Sequence, residues 1–122
     1  MQFRAGANRG KIKKMFIHAV IFKIASSQVA KYRKDSLMWA QYARKAGGFI
    51  AYFTMKRYGY NGEYVSVYEW KSKAYHDRFM KKYHDYLVLK SRAKVMPLAY
   101  YNLKMLDNLK NLVDKSGKMG II

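Results

Sequence analysis

The sequence predicts a ferredoxin-like α+β domain: a four-stranded antiparallel sheet with two helices on one face, in the order strand, helix, strand, strand, helix, strand. Three observations carry this. An apolar run rich in β-branched and aromatic residues, 15–24, precedes a stretch of helical periodicity. Two further runs, 49–58 and 63–70, flank Gly59-Tyr60-Asn61-Gly62 and read as a hairpin. A second helical stretch after Ser72 is followed by Pro97 and a last strand, 98–105. The 122 residues contain no internal repeat and no dividing linker, and the length suits one domain.

Taken in order, residues 1–14 are rich in glycine and basic side chains and read as an arm on the domain, which occupies 15–105. Ser26 and Ser27 are the candidate caps of the first helix. Its stripe is Val29, Tyr32, Ser36, Leu37, Ala40 and Ala43, and Gly47-Gly48 ends it. Trp39 and Tyr42 fall outside that stripe, as either core packing or a partner contact. With Asn61-Gly62 as a two-residue loop, Arg57 faces Ser66, Met55 faces Tyr68 and Phe53 faces Trp70. That set is expected on the helix-covered face. Tyr52, Thr54, Lys56, Tyr58, Val65, Val67 and Glu69 are expected on the open one. The second helix, capped by Ser72, has the stripe Tyr75, Phe79, Tyr83, Tyr86 and Leu87. Residues 106–122 form a short helix and tail, with Leu109, Leu112 and Val113 at helical spacing.

Gly48-Phe49-Ile50-Ala51-Tyr52-Phe53 resembles the start of the second strand in antibiotic-biosynthesis-monooxygenase-like domains, the dimeric α/β barrels. Val67-Tyr68-Glu69-Trp70-Lys71-Ser72-Lys73 is similar to that family's strand-to-helix segment, where Ser and a helix closely follow a Trp. The resemblance covers about 15–105 and implies the same fold. Members include metal-free monooxygenases of quinols or polyketides and haem-degrading enzymes. The family often has His at the position of Phe79, and a further His at the position of His84. The haem-degrading branch carries Asn in the first strand and a Trp–His pair on the second helix. Here the first strand has no Asn and the second helix no Trp.

Composition bounds the function. Half the residues are hydrophobic, 51%, so the chain is not a disordered polymer. It has no cysteine, which excludes disulfides, thiolate metal sites and cysteine nucleophiles. No apolar run approaches the ~18–20 residues of a membrane span, and the N-terminus lacks the apolar centre of a secretory signal. Twenty-five Lys and Arg against seven Asp and Glu give a net charge of +18, which attracts polyanions.

The chemistry-bearing residues are sparse. His76 and His84 are two turns apart, too far to share a metal, and His18 meets them only through tertiary packing. No acidic pair suits acid–base work. The glycines lack phosphate-loop spacing. Glu63 beside Gly62 breaks the RNA-recognition-motif signature.

The leading expectation is therefore a non-catalytic, ribosome-associated structural protein on a monooxygenase-like scaffold. It takes rRNA and neighbouring ribosomal proteins as partners, has no cofactor or metal, and works in the cytoplasm or on an organellar ribosome. The RNA contacts are assigned to Arg4, Arg9, Lys11, Lys13 and Lys14 in the arm and to Lys31, Arg33, Lys34, Arg44 and Lys45 on the first helix. Lys81, Lys82, Lys90, Arg92 and Lys94 add to them around the second. The alternative is a homodimeric cofactor-free monooxygenase or haem-degrading enzyme, with a pocket lined by Phe53, Tyr68, Trp70, Phe79 and His84. A third reading is non-specific DNA binding.

Overall fold

The computed structural model describes residues 15–107 and residue 109. The arm, with Arg4, Arg9, Lys11, Lys13 and Lys14, lies outside them, as do Leu112 and Val113. The elements are β1 (Phe16–Lys23), a 3₁₀ turn (Ser26–Gln28), α1 (Val29–Lys45), β2 (Phe49–Lys56), β3 (Glu63–Trp70), α2 (Lys73–Lys90) and β4 (Met96–Lys104). The sheet order is β2-β3-β1-β4, and every neighbouring pair is antiparallel. This is the expected ferredoxin-like arrangement.

Alternation along β1 and β3 decides which side the helices cover. Phe16, His18 and Val20 pair with Trp70, Tyr68 and Ser66, and all six are buried. Phe79 and Leu87 of α2 and Ala43 of α1 complete this packing around Trp70. Trp39 and Tyr42 also pack on the core, so their place outside the α1 stripe reflects packing within the chain. Leu37, expected in the stripe, is 63% exposed.

The hairpin departs from its expected register. Tyr68 faces Tyr52, Ser66 faces Thr54 and Trp70 faces Phe49. Relative to a two-residue Asn-Gly loop the strands are slipped by three residues, and an odd slip exchanges the faces of β2. The loop is longer than expected because the chain reverses over Arg57 to Gly62. There Glu63 N–H donates to Tyr60 C=O (3.2 Å), with Gly62 at φ 78°. Tyr52 therefore turns toward the helices, and Phe53 and Met55 toward the open face. An irregularity between Phe49 and Ala51 lets both Phe49 and Tyr52 reach the core side.

Two cap assignments also change. Ser26 and Ser27 lie in the 3₁₀ turn, where no side chain caps, and Ser72 holds the N-cap position of α2 without a side-chain capping bond.

The junction between α1 and β2 depends on Gly48. Its φ is 81°, and a Cβ there would fall 2.1 Å from the Tyr75 ring. Gly48→Ala combines a left-handed conformation, about 1–2 kcal/mol, with a clash against a packed ring. The expected outcome is a fall in Tm of roughly 5–10 °C by calorimetry; an unchanged Tm contradicts this account of the junction.

Candidate functional site

Both helices lie over the sheet face that carries Trp70, Tyr68 and Ser66. The space between is a cavity of about 390 Å³. Its sheet wall is His18, Val20, Phe22, Tyr52, Ser66, Tyr68, Trp70 and Tyr100. Tyr32, Asp35, Ser36 and Trp39 of α1 and His76, Phe79, Met80, His84 and Val88 of α2 form the opposite wall. The volume is that of a small-molecule site, and the lining is mostly aromatic with a few convergent polar groups. Of the five residues expected to line a pocket here, Tyr68, Trp70, Phe79 and His84 do so. Phe53 does not, because of the register slip.

The fold brings two of the three histidines together: the rings of His18 and His76 lie 4.8 Å apart. His18 Nδ1–H donates to Asn102 Oδ1 (2.8 Å), which assigns the lone pair to Nε2. His76 Nδ1–H donates to Asp77 Oδ1 (3.1 Å), and Lys73 Nζ holds the other carboxylate oxygen (2.8 Å). That leaves His76 Nε2 as an acceptor, buried and without a hydrogen-bond partner. Burial pushes the His76 pKa below the ordinary 6.5 against the opposing pull of Asp77, so the ring is neutral at pH 7. The Lys73 ammonium, followed by the His76 contact, holds the Asp77 carboxyl below its usual range. His84 sits farther along α2, edge-on to Trp39 at 6.0 Å, with Nδ1 3.1 Å from Asp85.

A second polar group lies across the cavity. Ser66 Oγ bonds the Tyr32 hydroxyl and receives the Tyr52 hydroxyl at 3.3 Å. Tyr52 stacks on Tyr68 at 4.2 Å. Burial pushes the Tyr32 phenol up to about 12 and raises that of Tyr68 as well, so both remain protonated donors.

The segment from Ser91 to Val95 forms a further wall and is strapped to α1. The Asp35 carboxylate accepts from Arg92 N–H (3.0 Å) and Ala93 N–H (2.8 Å), and Gln28 Oε1 accepts from Lys94 N–H (2.9 Å). Trp39 Nε1–H donates to Ser91 Oγ (2.9 Å). Sequence reasoning missed this strap, since its partners are 52 to 66 residues apart. The one available signal was that Asp35 is the sole acid on a basic helix.

The basic residues assigned to RNA occupy other places. Lys31, Arg33, Lys34, Arg44 and Lys45 are exposed along α1. Lys81, Lys82 and Lys90 are exposed on α2, and Arg92 and Lys94 on the strap. None of them lines this cavity.

No protein-family profile and no curated protein matches the chain. Solved structures do. SnoaB, a cofactor-independent oxygenase from Streptomyces nogalater, aligns over 80% of this chain and 98% of its own, at TM-score 0.67 and 12% identity. Rv0793 from Mycobacterium tuberculosis aligns over 77% and 97%, at TM-score 0.60 and 16% identity. A Nitrosomonas europaea protein provisionally described as an antibiotic biosynthesis monooxygenase aligns over 75% and 88%, at TM-score 0.60 and 10% identity. These likenesses establish the ferredoxin-like fold, shared with monooxygenase-type neighbours.

They also correct the leading expectation. A ribosomal, rRNA-binding role in translation has no counterpart among these neighbours, which are oxygenase-type folds. The physical reason is that net charge reports attraction to anions in general and selects no partner. Among the described residues, no helix is long and apolar enough to cross a membrane, and no group of three or more metal-ligating side chains is found.

The strap makes a direct test. Asp35→Ala removes a charged acceptor from two backbone donors and is expected to cost about 1–3 kcal/mol in urea unfolding. Amide exchange should accelerate at Arg92 and Ala93. Unchanged exchange at both would contradict the clamp.

Proposed function

We propose that the chain is a cofactor-free monooxygenase that oxidises a hydroxylated aromatic substrate between the helices and the sheet. One observation carries the reading. Among the described residues, the two buried side-chain polar atoms without a hydrogen-bond partner are His76 Nε2 and Trp70 Nε1. Both residues line the cavity, with rings 6.2 Å apart. One atom is an acceptor and the other a donor, and burying such atoms unpaired is costly. Both atoms are closed off from the cavity, so a ligand bearing a hydroxyl and a nearby carbonyl or phenol oxygen satisfies them once the side chains over them turn aside. This reading replaces the expectation of a non-catalytic chain.

In this reading, neutral His76 takes the substrate hydroxyl proton at Nε2, and Asp77 fixes the ring from the other side. Trp70 N–H stabilises the oxygen on which charge develops. The phenolate gives one electron to O₂, and the resulting radical pair joins at a ring carbon as a hydroperoxide. Loss of the ring C–H proton and cleavage of O–O then yield a quinone carbonyl and water. In balance, a phenol with a ring C–H plus O₂ gives a quinone plus H₂O; the substrate is the reductant. The likeness to SnoaB's fold and the lowered His76 pKa support this branch. The haem-degrading branch lacks its Asn in β1 and its Trp on α2.

The same reading includes a homodimer through the open sheet face. Ile17, Ile21, Val65, Val67, Phe53, Met55, Tyr101 and Leu103 share that face by register. Its charged groups are Lys23, Arg57, Glu63 and Glu69, which balance on a chain of +18. Two copies can therefore approach by this face without the repulsion that operates elsewhere, and an apolar open face calls for cover.

Oxygen uptake with a dihydroxynaphthalene tests the activity. One O₂ should be consumed per quinone formed, with no hydrogen peroxide released. His76→Gln should lower kcat by about 10²-fold or more. The rate should fall as pH drops through the His76 pKa, below 6.5, since His18, Lys73 and Asp77 are the titratable groups around it. No uptake, or full activity in His76→Gln, would sink the reading. Sedimentation equilibrium tests the assembly: a dimer is expected, weakened about tenfold or more by Phe53→Lys, and a monomeric native chain contradicts it.

A further inference from the structure

A second hollow, about 430 Å³, opens between α1 and β2. Leu37 and Ala40 give it an apolar floor, with Phe53 and Thr54 of β2 at its edge, and Arg33 and Lys34 a basic rim. Leu37 is 63% exposed, so the floor is open to a ligand. Ser36 and Tyr52 border both this hollow and the inner cavity, forming the partition between them. Neither Arg33 nor Lys34 joins an ion pair among the described residues, whereas Arg57 and Lys73 do. The two cationic heads are free beside an apolar trough that abuts an aromatic cavity.

From this juxtaposition we infer that the ligand is an aromatic carboxylate. Its ring occupies the inner cavity, an apolar chain passes Ser36 and Tyr52, and its carboxylate meets Arg33 and Lys34. The inference rests on the site reading above and adds the substrate class. The inner cavity accounts for the ring, since its free polar atoms suit hydroxyl and carbonyl oxygens. It offers no cation to a carboxylate, and the one carboxylate in its lining, Asp35, is bound to the strap. An anionic tail is therefore excluded from the inner wall and matched by the outer rim, where an arginine fork pairs a carboxylate with two parallel hydrogen bonds. Tyr52 is the element that must yield. Its hydroxyl makes a single long bond to Ser66, 3.3 Å, and its ring stacks on Tyr68 at 4.2 Å, so the swing gives up that stack and one weak bond.

Fluorescence titration tests this, since Trp39 and Trp70 both border the inner cavity. The probes are a naphthol bearing a butanoate chain and its methyl ester, which differ only in charge. The acid should bind about tenfold more tightly than the ester at low salt, and the difference should shrink at high salt. In the double variant Arg33→Gln/Lys34→Gln the acid should fall to the ester's affinity while the ester is unaffected. The variant Arg44→Gln/Lys45→Gln removes the same charge elsewhere on α1 and should keep the preference. Equal binding of acid and ester overturns the inference and leaves the cavity reading standing. Equal loss of preference in both double variants also overturns it, assigning the effect to net charge. Absence of binding by either probe removes the cavity reading itself, and the inference with it.

Discussion

The structure depends on one packing constraint: the helices must seal the Trp70 indole, which is wholly buried at the end of β3. Ala43 allows this on α1, because a residue that small lets the helix come down on the ring. Phe79 and Leu87 close it on α2. Farther along the sheet the same face presents Val20 and Ser66, which are small, and Tyr32 bonds Ser66 from α1. The cavity lies over these residues. The seal itself leaves the Trp70 N–H without a hydrogen-bond partner.

Charge and chemistry occupy separate parts of the molecule. The exposed lysines and arginines of α1, α2 and the strap contribute to the net charge of +18, yet the cavity wall is mostly aromatic and holds no lysine or arginine. A neutral His76 is maintained by burial despite the neighbouring Asp77. An argument from composition weighs the first population and is blind to the second. That is why total charge pointed toward rRNA while the arrangement of a few uncharged groups points toward a small molecule. The two populations meet at the Arg33–Lys34 rim.

The order of elements was legible because each carried its own period or turn signal. The expected buried face of β3 was also correct, with Trp70, Tyr68 and Ser66 inward. The face of β2 was not legible. Its residues are apolar on both sides, so the pattern cannot choose between registers, and the Asn-Gly signal favoured a shorter loop than the six residues from Arg57 to Gly62. Four of the pocket aromatics, Tyr68, Trp70, Phe79 and His84, followed from the strand and helix patterns with the family resemblance. The His18–Asn102 bond, the approach of His18 to His76 and the Asp35 strap did not, because they join residues on elements distant in sequence.

The central claim is that an aromatic ligand binds where His76 and Trp70 await partners. The most direct measurement is a heteronuclear NMR titration of the chain with a dihydroxynaphthalene, following the Trp70 indole N–H and the His76 ring resonances. The account predicts that both move together and saturate, with smaller shifts at Ser66 and Tyr100 and none on the basic outer face of α2. Shifts confined to surface lysines and arginines, with Trp70 and His76 unmoved, would contradict it.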